Sequence, residues 1–160
     1  MKSLALLLLL ASSAQGALRA AAGKADITPN LAKEKIRLAG YGAWGRRPKG
    51  IKDPLFARAV VLSDGEKKLA LVAVDAIGIY REDVLDIRRM LGWGQEGYLF
   101  LAATHDHAAP DTVGLWGPMP GVSGVDKRYQ KRLKFAVVDL IKELASRLED
   151  AELVAGRRFV

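Results

Sequence analysis

Hydrophobic and polar positions change rhythm several times along the chain, and each change marks an element. Ala20 to Thr28 is small and partly alternating and stops at Pro29, which predicts a short strand. Leu31 to Ile36 reads as a polar connection, and Arg37 to Tyr41 as a second short strand closed by the Gly40-Tyr41-Gly42 turn. Gly45 to Pro54, with prolines, glycines and basic residues, is a loop. Leu55 to Ser63 and Lys68 to Ile79 are strand-like runs separated by Asp64-Gly65, a hairpin signal, so they pair antiparallel.

Arg81 to Leu91 switches to helical spacing, with Val84, Ile87 and Leu91 on one face and Gly92 and Gly94 ending it. Tyr98 to Thr104 is a continuous apolar run of strand length, as expected of a central strand. Residues 105–125 form a long loop rich in Gly and Pro, a length that usually serves function. Asp126 caps the next helix, whose stripe is Leu133, Val137, Leu140, Ile141, Leu144 and Leu148. Ala151 to Val160 starts a strand that breaks off without a polar tail, which reads as a truncation. Interleaved strands and helices give an α/β or α+β class, a mixed sheet covered by helices.

The first sixteen residues stand apart. Met1-Lys2-Ser3 is basic, Leu4 to Ala11 is unbroken apolar sequence, and small residues follow to Gly16. That order is a secretory signal peptide, 1–16, leaving 17–160 as the mature chain in a secreted or periplasmic location. The apolar run is too short to span a bilayer as a helix.

The 160 residues suffice for one domain. The absence of cysteine excludes disulfides, thiolate metal sites and cysteine nucleophiles. The net charge of +7 is scattered over Arg46, Arg47 and Lys49, over Lys127 to Lys134, and over Arg157 and Arg158. Aromatic residues do not alternate with these cations. The charge therefore reads as a solvated surface facing anionic lipid, with no nucleic-acid partner.

Both histidines of the chain lie in Thr104-His105-Asp106-His107-Ala108-Ala109-Pro110-Asp111, where a buried strand exits into the long loop. An H-x-H pair at strand spacing points both imidazoles to one face, and neutral imidazole is a common zinc ligand. Bound zinc lowers the pKa of its water to ~7. The same spacing also suits two loop histidines hydrogen-bonded to their neighbours. Asp106 points the other way, as a solvated carboxylate. Asp111 either orients an imidazole or starts a turn beside Pro110. Asp75, inside an apolar strand, either accepts an imidazole N–H or receives backbone N–H groups at the strand's end. Trp93, Trp116 and Met119 are candidates for an apolar pocket mouth. The H-x-H-x-D-H pattern of metallo-β-lactamase-like enzymes is not met, because Ala109 and Pro110 stand where an acid and a histidine would be.

In order, Gly23-Lys24-Ala25-Asp26-Ile27-Thr28-Pro29, Gly40-Tyr41-Gly42, Asp53-Pro54-Leu55-Phe56-Ala57-Arg58-Ala59, Val72-Ala73-Val74-Asp75 and the histidine cluster resemble the N-terminal part of the catalytic domain of the neutral/alkaline non-lysosomal ceramidase family. The resemblance implies a secreted zinc amidase that hydrolyses the N-acyl bond of a sphingolipid or related N-acyl lipid. It implies one Zn2+, with His105 as a ligand and His107 as the catalytic contact to substrate. It places the other ligands, a histidine, a glutamate and a tyrosine, beyond residue 160. The family reads T-H-T-H-S-G-P where this chain reads Thr104-His105-Asp106-His107-Ala108-Ala109-Pro110, closer to bacterial relatives than to true ceramidases. A non-catalytic secreted binding module or an inactive gene fragment is the alternative.

Overall fold

The computed structural model describes residues 17–158; the segment read as a signal peptide lies outside the described residues. The chain order is β1 (Arg19–Asp26), β2 (Phe56–Ser63), β3 (Lys68–Val74), α1 (Arg81–Leu91), β4 (Gly97–Ala103), α2 (Lys127–Ser146) and β5 (Glu149–Asp150). The strands make one sheet in the order β4-β3-β2-β1-β5. β1, β2 and β3 pair antiparallel, as the Asp64-Gly65 signal predicts. β3 and β4 pair parallel, which needs a crossover, and α1 supplies it. The sheet is therefore mixed.

Pleating sorts the side chains by face. Ala21, Ala57, Ala59, Val61, Ala70, Val72 and Val74 are buried, together with Ile87, Leu133, Val137, Ile141 and Leu144 of the helices. Small residues on β1 and β2 let α2 lie close. A Cβ added at Gly23 would come within 3.1 Å of the Leu144 side chain. The opposite face carries Val60, Leu71, Tyr98 and Phe100, all exposed. Helices thus cover one side of the sheet.

Both helices end where their chemistry dictates. α1 has Glu82 and Asp83 in its first turn and Arg88 and Arg89 in its last, and it closes on Gly92 in the left-handed conformation. Lys134 of α2 joins the helices through Asp86 at 2.7 Å and Asp83 at 3.2 Å. Arg132 holds the buried Glu34, which ties the turn after β1 to α2. Tyr129 is buried beneath Arg132, and burial pushes its phenol well above the usual range.

Asp126 accepts N–H bonds from Arg128 and Tyr129 at the start of α2, and from Lys35 across the fold. Burial pushes its carboxyl up, but the N–H groups of Tyr129, Lys35 and Arg128 outweigh this, and it titrates below the ordinary value of 3.8. A lowered folded-state pKa means stabilisation that is complete above that ordinary value and lost as pH falls through the folded value. Asp126→Ala should cost about 1 kcal/mol at pH 7. In thermal melts, the gap to wild type should close as the pH drops below 3.8.

Four expectations need correction. β4 is an edge strand, not a central one, and Tyr98 and Phe100 are exposed despite the continuous apolar run. Arg37 to Tyr41 is not a strand; only Leu38 bridges, to Arg46 and to Pro110. β3 stops at Val74, and the residues to Ile79 form a loop. The terminal strand is β5, paired with β1 through Arg19 and Ala20; residues 151–158 have no regular structure, and 159–160 lie outside the described residues.

Candidate active site

Parallel pairing of β3 and β4 brings their C-terminal ends to the same edge, and the histidines lie just past it. Pairing persists irregularly beyond the strands: the Thr104 N–H donates to Val74 O, and the Asp106 N–H to Ala76 O. Between them His105 takes φ 62°, the left-handed region that a residue with a Cβ seldom enters. The rings of His105 and His107 meet edge to face, with centroids 5.0 Å apart. Sequence reasoning expects the pair to share a face through strand pleat. Here a turn brings the rings together, because β4 has already ended at Ala103.

His105 Nδ1 lies 2.9 Å from the carbonyl oxygen of Ile77. A carbonyl only accepts, so Nδ1 carries the proton and Nε2 keeps its lone pair. This is the tautomer a metal ligand needs. His107 rests on the Gly40-Tyr41-Gly42 turn. Tyr41 meets its ring edge-on at 6.2 Å, and Arg46 sits 5.1 Å above the Tyr41 ring. Gly40 has φ 82°, and a Cβ there would fall 1.6 Å from His107 Nδ1. Neither the Ile77 carbonyl nor the Gly40 seat is visible in the sequence as a partner of a histidine. The first is backbone, and the second is a contact between distant segments.

The aspartates are placed as follows. Asp75 accepts from the Phe56 N–H at 2.9 Å, from Arg58 at 2.8 Å, and from Thr104 Oγ1 at 3.4 Å. It steadies the exits of β2, β3 and β4 beside the histidines. Asp111, 2% exposed, accepts from the N–H groups of Val113 and Gly114 on Oδ1 and of Trp116 on Oδ2. These bonds all run to backbone. Asp106 accepts from the Ala108 N–H at 2.8 Å and is half-buried. It lines a cleft of about 350 Å³ shared with Leu38, Lys49, Ile51 and Lys52.

Further bonds stitch the surrounding loops together. The Asp111 N–H donates to Arg37 O, the Gly45 N–H to Gly117 O, Thr112 Oγ1 to Gly78 O and Tyr80 Oη to Val113 O. Trp116 belongs to this frame. Trp93 does not, because it packs on Gly97 at the opposite end of β4.

Among the described residues no group of three or more His, Cys, Asp or Glu side chains could hold a metal. The His105 tautomer fits one zinc ligand, while a complete set is not assembled by these residues.

No family model matches the chain. Two solved structures are similar. One is a ceramidase complexed with C2, with TM-score 0.67, 24% identity, and 84% of this chain covered. The other is a neutral ceramidase from Pseudomonas aeruginosa, with TM-score 0.67, 23% identity and the same coverage. The chain spans 22% of the length of each. The likeness is one of fold: the mixed sheet with two helices matches part of a ceramidase domain.

Proposed function

We propose that this chain carries part of the catalytic domain of a zinc-dependent amide hydrolase of the neutral ceramidase type, cleaving the N-acyl bond of a sphingolipid or related N-acyl lipid. The observation that carries the reading is the imidazole pair. It stands where two parallel strands end, and His105 has its Nδ1 proton committed to Ile77 O. The fold likeness to ceramidases agrees with it.

In this reading His105 Nε2 is one zinc ligand, and the other ligands come from outside the described residues. Zinc, when bound, would polarise the amide carbonyl and acidify a bound water. The chain's own residues do the rest. Ile77 fixes the His105 tautomer. The Gly40 turn sets the His107 ring at 5.0 Å from His105. From there His107 hydrogen-bonds the substrate or the charge developing on its carbonyl oxygen. Asp75 and Asp111 keep the two exit loops in place. The incomplete ligand set favours one second reading, a secreted binding module without catalysis. The signal-like residues 1–16 support a secreted or periplasmic location for either.

The test is fatty acid release from a short-chain N-acyl sphingoid lipid by the protein as its source makes it. Release should vanish with a chelator, and His105→Ala should remove both bound zinc and turnover. Unchanged zinc content and turnover in His105→Ala would refute the ligand assignment. No release from any N-acyl lipid would refute the hydrolase and leave the binding module.

A further inference from the structure

The loops around the histidines also form a surface of their own. Trp44 and Ile51 on one loop, and Leu115 and Met119 on the other, are each more than half exposed. The two loops are joined at their middles by the Gly45 N–H to Gly117 O bond at 2.8 Å. Trp44 and Arg46 therefore flank the same junction that Trp116 flanks from the other side. Arg46, Arg47, Lys49 and Lys52 lie on the first loop, with Asp53 the one acid among residues 45–54. Tyr41 connects this edge to His107, and the cleft beside Lys49 and Lys52 is walled by Asp106 and Ala108.

We infer that this end of the molecule is a membrane-docking surface for anionic lipid bilayers. Three features fix the occupant. Large apolar side chains in water are an unfavourable use of surface unless something covers them. An exposed tryptophan beside branched and flexible aliphatics suits the boundary between headgroups and acyl chains. The adjoining cations are complementary to the negative potential of an anionic leaflet. A nucleic acid would meet the cations but leave Ile51, Leu115 and Met119 in water. The surface brings the His105–His107 edge to the bilayer. It goes beyond the hydrolase reading, since binding is measured without turnover.

The test is flotation of the whole chain with vesicles of phosphatidylcholine containing one-fifth phosphatidylglycerol, against pure phosphatidylcholine. Binding should favour the anionic vesicles and fall with salt. Each basic residue removed near the surface should weaken binding about fivefold, so Arg46→Glu, Arg47→Glu and Lys49→Glu together should weaken it on the order of a hundredfold. The same reversal at Lys127, Arg128 and Lys131 on α2 should have little effect. Equal loss from the α2 reversal, or no preference for anionic vesicles, would overturn the inference. A reading that needs no charge variant is quenching of tryptophan fluorescence by brominated lipid. Quenching should occur in the unaltered chain and largely disappear in Trp44→Phe. Quenching unchanged in Trp44→Phe would place the contact elsewhere and sink the proposal.

Discussion

Asp111→Ala should lower stability by about 3–5 kcal/mol, the largest loss expected from any single change at this edge of the sheet. The carboxylate is 2% exposed and is the acceptor for the N–H groups of Val113, Gly114 and Trp116. Removing it strands those donors, at about 1–3 kcal/mol for each buried group left unpaired. Asp111→Asn should be nearly as harmful, because its NH2 group turns a donor toward a donor. Urea denaturation measures both. A loss under 1 kcal/mol for both variants would mean that the loop is held elsewhere, by Thr112 and the Arg37 carbonyl. Because His107 sits on the near side of this loop, the Asp111 variants should also disturb its imidazole signals.

Gly40→Ala should displace His107 while leaving His105 in place. The added methyl would fall 1.6 Å from His107 Nδ1, so ring or turn must move. A residue with a Cβ also pays about 1–2 kcal/mol in the left-handed conformation that φ 82° imposes. With two histidines in the chain, the imidazole spectrum by NMR is simple. The His107 resonances should shift and the His105 resonances should not, since His105 is tied to Ile77 O. If the hydrolase reading holds, a displacement of about 1 Å should cost on the order of a hundredfold in turnover. Unmoved His107 signals would remove the Gly40 turn from its role as a seat.

The helices were legible in the sequence because they announce themselves twice, by period and by ends. Ile87 and Leu91 lie on the buried face of α1 as the spacing predicts, and Asp126 caps α2 with its own carboxylate. β4 was misplaced for a physical reason. An apolar run reports that burial is favourable, not how many neighbours a strand has, so Phe100 could be read as core although it is 69% exposed. The histidine pair was legible as a cluster, yet the route to its geometry was not. A single left-handed residue leaves no periodic trace, and His105 is not a residue type that demands it. Asp75 and Asp111 were legible as buried carboxylates in need of donors. That those donors are backbone N–H groups and Arg58, with no imidazole among them, depends on loops folded against one another from distant parts of the chain.

The edge position of β4 has a consequence for how the chain behaves in company. Along Gly97–Ala103 one side of the backbone is paired with β3, and among the described residues no strand pairs the other. Such an edge, flanked by exposed Tyr98 and Phe100, is a template on which another strand can add. Repulsion between chains of charge +7 opposes that addition at low ionic strength, and salt removes the repulsion while leaving the hydrogen-bonding edge intact. Solubility of the chain is therefore governed by β4 and ionic strength together: high salt, which would weaken docking on an anionic bilayer, would favour growth of the sheet from one molecule into the next.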